Sequence, residues 1–160
     1  MTKTTPPRPR VTDELVLLAL ETRHADKKDE WNFDDIVQEY CPSKDGYELM
    51  RSLERNCYWD GSRDLMDDLD AVDFSVNRIH KQAIKDWVTV YGVTAELQVG
   101  DDVMWKSRKA KITNITPDVA QYTIQFYEPY TKRMPMTIGS SSAMYANFED
   151  VAVTDNAKSE

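Results

Sequence analysis

The sequence lacks most of the features that would assign it directly to a functional class. It has two histidines and two cysteines, and the cysteines, Cys41 and Cys57, fall in helical patterns without the CxxC spacing of a metal or redox site. We therefore interpret both as reduced thiols. Serine-hydrolase, phosphate-loop, dinucleotide-binding and zinc-protease motifs are missing as well. The sequence predicts a non-enzymatic protein with no catalytic residues, no metal site and no cofactor.

Long apolar runs are also missing. A membrane-spanning helix needs roughly 18 or more consecutive apolar residues, and no run in this chain approaches that length. The start of the chain, MTKTTPPRPR, is polar and proline-rich, whereas a secretory signal contains an apolar segment. These features predict a cytoplasmic protein without a membrane partner.

Acidic side chains outnumber basic ones, and the excess is confined to one part of the chain. The formal net charge is −8. Residues 11–93 contain 19 acidic and 10 basic side chains, whereas residues 94–152 contain 7 and 6. Together with the patterns below, this predicts a flexible basic arm (1–11), an acidic helical domain (12–92), a second domain (96–153) and a tail (154–160).

Apolar residues recur at helical spacing between residues 12 and 92, which predicts five short helices. Thr12 is placed to cap the first helix and Ser75 the fifth. Asn32 and Asp35 resemble a capping box at the start of the second, and Gly92 ends the fifth. The pattern predicts a small helical bundle, with a helix-turn-helix arrangement as one alternative.

The predicted fourth helix contains the segment DLMDDLDAVD, with five aspartates in ten residues. Asp64, Asp67 and Asp68 share one face through their i, i+3, i+4 spacing. The face has three interpretations: a solvated surface, a protein-binding surface, or a mimic of DNA charge. A calcium site is a poor interpretation because the segment lacks the alternating ligands and central glycine of an EF-hand loop.

The predicted fifth helix has a basic face formed by Arg78, Lys81 and Lys85. These cations could contact nucleic-acid phosphates, with Arg8 and Arg10 of the arm reaching alongside. They could instead pair with the aspartates of the fourth helix. We favour the pairing, because the acidic excess in this half of the chain opposes the approach of DNA.

From Leu97 onward, the apolar pattern changes to a period of two, which predicts five short strands. They lie in LQVGDDVMW, KAKITNIT, QYTIQFY, RMPMTIG and NFEDVAV. A small closed barrel would leave none of their edges exposed. We expect an α+β fold in which this five-stranded barrel packs against the helical bundle.

The order of a VGDDV turn, a KAKITNI strand, a polar hairpin, a YTIQF strand and a final FEDV resembles the SH3-like small barrels of the Tudor and KOW kind, over residues 96–153. The resemblance implies a module that binds peptides, methylated side chains or RNA, or that contacts only its own partner domain. Tudor-like modules hold cations between aromatic rings, and the candidate protein-binding aromatics here are Trp105, Tyr127 and Tyr130.

The first hairpin of this module, KSRKAK, lacks the glycine of a KOW motif and is the densest basic segment of the chain. Its cations are Lys106, Arg108, Lys109 and Lys111. They form either a solvated hairpin tip or a contact site for nucleic acid.

These patterns favour an adaptor or inhibitor that binds a protein partner through the aspartates, the barrel aromatics or both. In general character the chain is similar to the accessory proteins with which phages redirect host machinery. The first alternative is a nucleic-acid-binding regulator that uses the arm, the fifth helix and the hairpin. The second is an inhibitor that mimics DNA.

Overall fold

The helices of the protein begin at residues whose side chains cap exposed backbone N–H groups. A computed structural model describes residues 5–127 and 143–153, and four α-helices lie within these ranges. They are α1 (Asp13–Arg23), α2 (Phe33–Glu39), α3 (Gly46–Cys57) and α4 (Arg63–Tyr91), with a short 3₁₀ turn at Ala25–Lys27 after α1. The chain divides into two compact units, Met1–Ala83 and Ile84–Glu160, which we call the helical unit and the sheet unit.

Two of the predicted caps are present, and a capping box that was not predicted lies at α3. Thr12 Oγ1 accepts a hydrogen bond from the Leu15 N–H, and Asn32 Oδ1 accepts one from the Asp34 N–H. The reciprocal capping box lies at α3, where the side chain of Asp45 caps Glu48 N–H and the Glu48 carboxylate accepts from Asp45 N–H.

The predicted fourth and fifth helices are one helix, α4. Ser75 is not an N-cap, because its hydroxyl lies inside the helix and donates to the Ala71 carbonyl at 2.9 Å. The segment from residue 63 to residue 91 contains neither glycine nor proline. Its apolar stripe also runs through the predicted break in unbroken helical phase: Leu65, Leu69, Val72, Val76 and Ile79. The prediction of five helices is therefore wrong.

One continuous helix also rules out the pairing we predicted between its acidic and basic faces. Asp68 and Arg78 are ten residues apart along α4, which places them about 15 Å apart along the axis. Asp68 instead binds Lys27, with Nζ 2.8 Å from Oδ2. The helix ends at Tyr91, and Gly92 follows at φ 63°, as predicted.

The core of the helical unit joins residues of all four helices and the loops between them. Leu20, Ile36, Leu53 and Val76 are at its centre and are fully buried or nearly so. The other buried members are Val16, Ala19, Trp31, Phe33, Leu49, Met50, Leu69 and Val72. A helix-turn-helix arrangement is not confirmed.

The sheet unit contains an antiparallel sheet of five strands within the described ranges. The strands are β1 (Asp102–Trp105), β2 (Arg108–Thr116), β3 (Gln121–Phe126), β4 (Ala143–Asn147) and β5 (Ala152–Val153). Their order is β4-β3-β2-β1-β5, and β2 contains an irregularity between Ile112 and Asn114. The sheet is not closed into a barrel in the described residues, so the predicted barrel is not confirmed.

The inner face of the sheet forms a second core, separate from that of the helices. Val103, Ala110, Ile112, Tyr122 and Ile124 are almost completely buried. The strand predicted in RMPMTIG lies outside the described residues, and β4 was not predicted. Short 3₁₀ turns at Pro117–Val119 and Phe148–Asp150 precede β3 and β5.

Candidate functional site

Two tryptophans from different loops meet on one face of the helical unit. Trp31 precedes α2, and Trp59 follows α3; their ring centroids lie 6.5 Å apart. Trp31 is 8% exposed, whereas Trp59 is half-buried. The Trp59 indole N–H donates to Asp35 Oδ2 at 2.8 Å, which fixes the orientation of the ring.

A lysine and a histidine also contact the Trp31 ring. Lys27 Nζ lies 5.7 Å from the centre of the Trp31 ring, and the His24 ring stacks on it at 5.8 Å. Lys27 is fixed by its ion pair with Asp68, and this hydrogen bond raises the pKa of Lys27. The neighbourhood of Trp31 is therefore preorganised, and Asp68 takes part in it.

The turn that follows α3 exposes a tyrosine in a strained conformation. Tyr58 has φ 61° and lies in the left-handed region, which costs a residue with a Cβ roughly 1–2 kcal/mol. Its side chain is nevertheless 90% exposed, so packing against the rest of the chain does not account for the ring. Strained, exposed residues of this kind are found at binding sites.

Two open clefts share Trp59 and Asp60 as walls. The first has a volume of about 540 Å³ and is completed by Arg51, Glu54, Arg55 and Gly61. The second has a volume of about 420 Å³ and is completed by Glu30, Trp31, Asn32 and Leu65. We call Tyr58 and the residues lining the two clefts the tryptophan face.

The two clefts differ in charge. In the first, Arg51 is paired with Glu54 at 2.5 Å, and the lining adds one further cation, Arg55, and one further carboxylate, Asp60. The second combines the carboxylates of Glu30 and Asp60 with two indole rings. The first cleft therefore has balanced charge, whereas the second suits a cation that can lie against an aromatic ring.

The predicted acidic residues lie beside the tryptophan face, and one of the three is held in an ion pair. Asp64, Asp67 and Asp68 are all on the first turns of α4, as predicted. Asp64 and Asp67 are exposed, whereas Asp68 is half-buried in its ion pair with Lys27. The tryptophan face was not predicted, although the segment NCYWDG contains a signal: two adjacent aromatic residues in a turn that ends at a glycine.

The two predicted barrel aromatics that the structure describes do not lie together. Trp105 lies on the inner face of the sheet and contacts Phe126, with ring centroids 5.8 Å apart. Tyr127 lies on the opposite face, where its hydroxyl donates to Asp102. This bond raises the pKa of Tyr127. Tyr130 lies outside the described residues.

The basic candidates are distributed over several surfaces. Arg78 and Lys81 are exposed on α4, whereas Lys85 pairs with Asp118 at 2.9 Å. In the arm, Arg10 is exposed and Arg8 is half-buried. His80 Nε2 donates to the Pro9 carbonyl at 2.9 Å, so this part of the arm contacts α4.

The basic hairpin between β1 and β2 places its cations on aromatic rings or on the outer face. Lys106 Nζ lies 4.5 Å from the Trp105 ring, and the Arg108 guanidinium lies 3.7 Å from the Phe126 ring. Lys109 and Lys111 are exposed on β2. The structure therefore divides the predicted basic patch between two sides of the sheet.

The tip of this hairpin leads to a prediction about stability. Lys106 and Ser107 both have positive φ, at 45° and 64°, which is the requirement of a type I′ turn that glycine meets best. We expect Ser107→Gly to raise the free energy of unfolding by about 1 kcal/mol, measured by urea denaturation. Ser107→Ala keeps the strained Cβ and should give no such gain; an equal gain in both variants would contradict the argument.

No protein-family model, curated protein or solved structure matches this chain. The evidence for the candidate site is therefore its geometry. Within residues 5–127 and 143–153, no helix combines the length and apolar character needed to cross a membrane.

Proposed function

We propose that this protein is a non-enzymatic adaptor or inhibitor that binds a protein partner through the tryptophan face. The observation that carries the proposal is the exposed, strained Tyr58, which directly precedes Trp59, a wall of two open clefts. Tyrosine, tryptophan and arginine are the residues that contribute most to protein–protein binding energy. All three occur in this face, and the contacts of Trp59 hold it in place before a partner arrives.

The charges of the clefts indicate the chemistry of the partner. A lysine or arginine side chain fits the second cleft, where it would meet Glu30, Asp60 and the tryptophan rings. The proposed partner segment therefore carries a basic residue that reaches Trp59.

The alternatives based on nucleic acid receive less support from α4. Arg78 and Lys81 lie exposed on the same helix as the exposed carboxylates of Asp64 and Asp67. A DNA mimic needs a surface of one sign, and these cations interrupt it. The carboxylates likewise oppose phosphate binding by the cations.

For the sheet unit, we propose an SH3-like small barrel. Its fifth strand returns to pair with the first, which leaves β4 and β5 at the two ends of the strand order. An irregularity in β2 between Ile112 and Asn114 increases local twist. Strong twist brings the end strands of a small sheet towards each other, and closure would remove both edges.

The test is recovery of the tagged protein from a lysate of its native host, with and without nuclease, for wild type and Tyr58→Gly. Glycine suits the left-handed turn, so this variant keeps or gains stability while it removes the exposed ring. We expect a nuclease-resistant protein partner with the wild type, and at least about a tenfold lower recovery with Tyr58→Gly.

Tyr47→Ala is the matched control. Tyr47 lies on α3, is exposed like Tyr58, and lies outside the clefts. Its recovery of the partner should equal that of the wild type. Equal recovery by Tyr58→Gly would move the site away from the tryptophan face. Nucleic acid in the eluate, with protein partners lost on digestion, would replace the proposal with the nucleic-acid-binding alternative.

A further inference from the structure

Helix α4 has an exposed stripe with a phenylalanine at its centre. Asp67, Ala71, Phe74, Arg78 and Lys81 are exposed, and they follow one another at spacings of four and three residues, which places them along one side of the helix. We call them the α4 stripe. Phe74 is 80% exposed. It lies in the middle of the helix, where neighbouring positions face the core and bury apolar side chains.

The charges of this stripe are arranged symmetrically about Phe74. Asp67 lies seven residues before it and Lys81 seven residues after it. The acidic and basic ends are separated by about 20 Å along the axis, so they do not pair within one molecule. Neither Asp67, Arg78 nor Lys81 forms an ion pair with another residue in the part of the chain that the structure describes.

We propose that a second copy of this chain docks antiparallel on the α4 stripe, with the two-fold axis at Phe74. In this arrangement Asp67 of each copy faces Lys81 of the other. The two Phe74 rings meet at the axis and cover each other. A two-fold interface requires a surface that is complementary to itself, and the order acid, phenylalanine, base on one helix satisfies that requirement.

A second copy fits this surface better than other partners do. Nucleic acid would meet the carboxylates of Asp67 and Asp70 at one end of the stripe. A different protein would need a surface with an apolar group between a basic end and an acidic end. A second copy of this chain provides such a surface when it lies antiparallel. The inference concerns a surface distinct from the tryptophan face and does not rest on its proposed function.

The expected dimer is weak and sensitive to salt. The stripe spans about four helical turns, which is smaller than the standard interface of about 1,600 Å². Its ion pairs are exposed at the rim and are therefore screened by added salt. Sedimentation velocity at low ionic strength, over a wide range of protein concentration, is the suitable measurement.

Two complementary charge reversals test the pairing directly. Asp67→Lys places two cations opposite each other in a homodimer, and Lys81→Glu places two anions there. Each variant alone should dimerise at least about tenfold more weakly than the wild type. An equimolar mixture of the two should restore association, because each reversed residue then faces an opposite charge.

Further variants separate this contact from others. Phe74→Ala should weaken the dimer, whereas Tyr58→Gly should leave it unchanged. Both charge positions are exposed, so far-UV circular dichroism and thermal unfolding should match the wild type. A wild type that stays monomeric at its highest concentration in low salt would overturn the proposal. Undiminished dimers of the single reversals, or failure of the mixture to associate, would overturn it equally.

Discussion

Replacement of Asn77 with proline is expected to lower the free energy of unfolding by about 3 kcal/mol or more. Asn77 lies on the exposed side of α4, fourteen residues from either end of its Arg63–Tyr91 range. Proline removes the backbone N–H that bonds to the carbonyl of residue 73, and its ring collides with that carbonyl. If a separate helix began after Ser75, residue 77 would lie in its first turn, where proline is tolerated. Urea denaturation measures the difference.

Asn77→Ala is the control for this experiment. It removes the hydrogen bond from the Asn77 side chain to Asp73 Oδ2, which measures 2.7 Å, and keeps the backbone N–H. An exposed bond of this kind contributes about 1 kcal/mol or less, and alanine favours the helix. Equal stability of the proline and alanine variants would show that α4 is interrupted near Ser75 in solution.

The second large effect is expected at Gly46, where α3 begins against α4. A Cβ at this position would collide with the Met66 backbone carbonyl oxygen and would lie 2.6 Å from Asp70 Oδ1 and 2.7 Å from Asp70 N. The Gly46 N–H also donates to Asp70 Oδ1 at 2.6 Å. Backbone atoms of α4 cannot move aside without disturbing the core. We expect Gly46→Ala to destabilise the protein by about 3 kcal/mol, from overpacking together with the weakened hydrogen bond.

Gly61→Ala provides the comparison, because the contact there is of a different kind. The added Cβ at Gly61 would meet the carboxylate end of Glu54, which belongs to a flexible side chain. That end can rotate away at little cost. Thermal unfolding of the two variants should therefore show a large drop in the melting temperature for Gly46→Ala and a small one for Gly61→Ala. A small effect at both positions would mean that α3 and α4 are not in close contact at Gly46.

Much of the fold was predictable because its signals are local. Thr12 and Asn32 were identified as caps from residue type and position, and both cap helices in the structure. Ser75 was misassigned because a serine before an apolar run looks the same at an N-cap and inside a helix, where its hydroxyl bonds back to the preceding turn. The unbroken phase from Leu65 to Ile79 was the better indicator, since it spans the whole segment.

The candidate site was less predictable because it depends on contacts between distant parts of the chain. Trp31 and Trp59 are 28 residues apart and meet only after α2 and α3 have packed. The spacing of residues along the sequence does not reveal such a contact. In the sheet, Trp105 and Tyr127 were predicted to share one binding surface because both are aromatic. Their strand positions place them on opposite faces.

The contact between Trp31 and Trp59 also has an optical consequence. Neighbouring indoles couple their electronic transitions, and this gives a near-ultraviolet circular dichroism signal that depends on their mutual orientation. Both chromophores belong to the helical unit, whereas Trp105 belongs to the sheet unit. Each unit therefore has a spectroscopic probe of its own, and a comparison of their melting curves would reveal whether the two units unfold in one transition or in two.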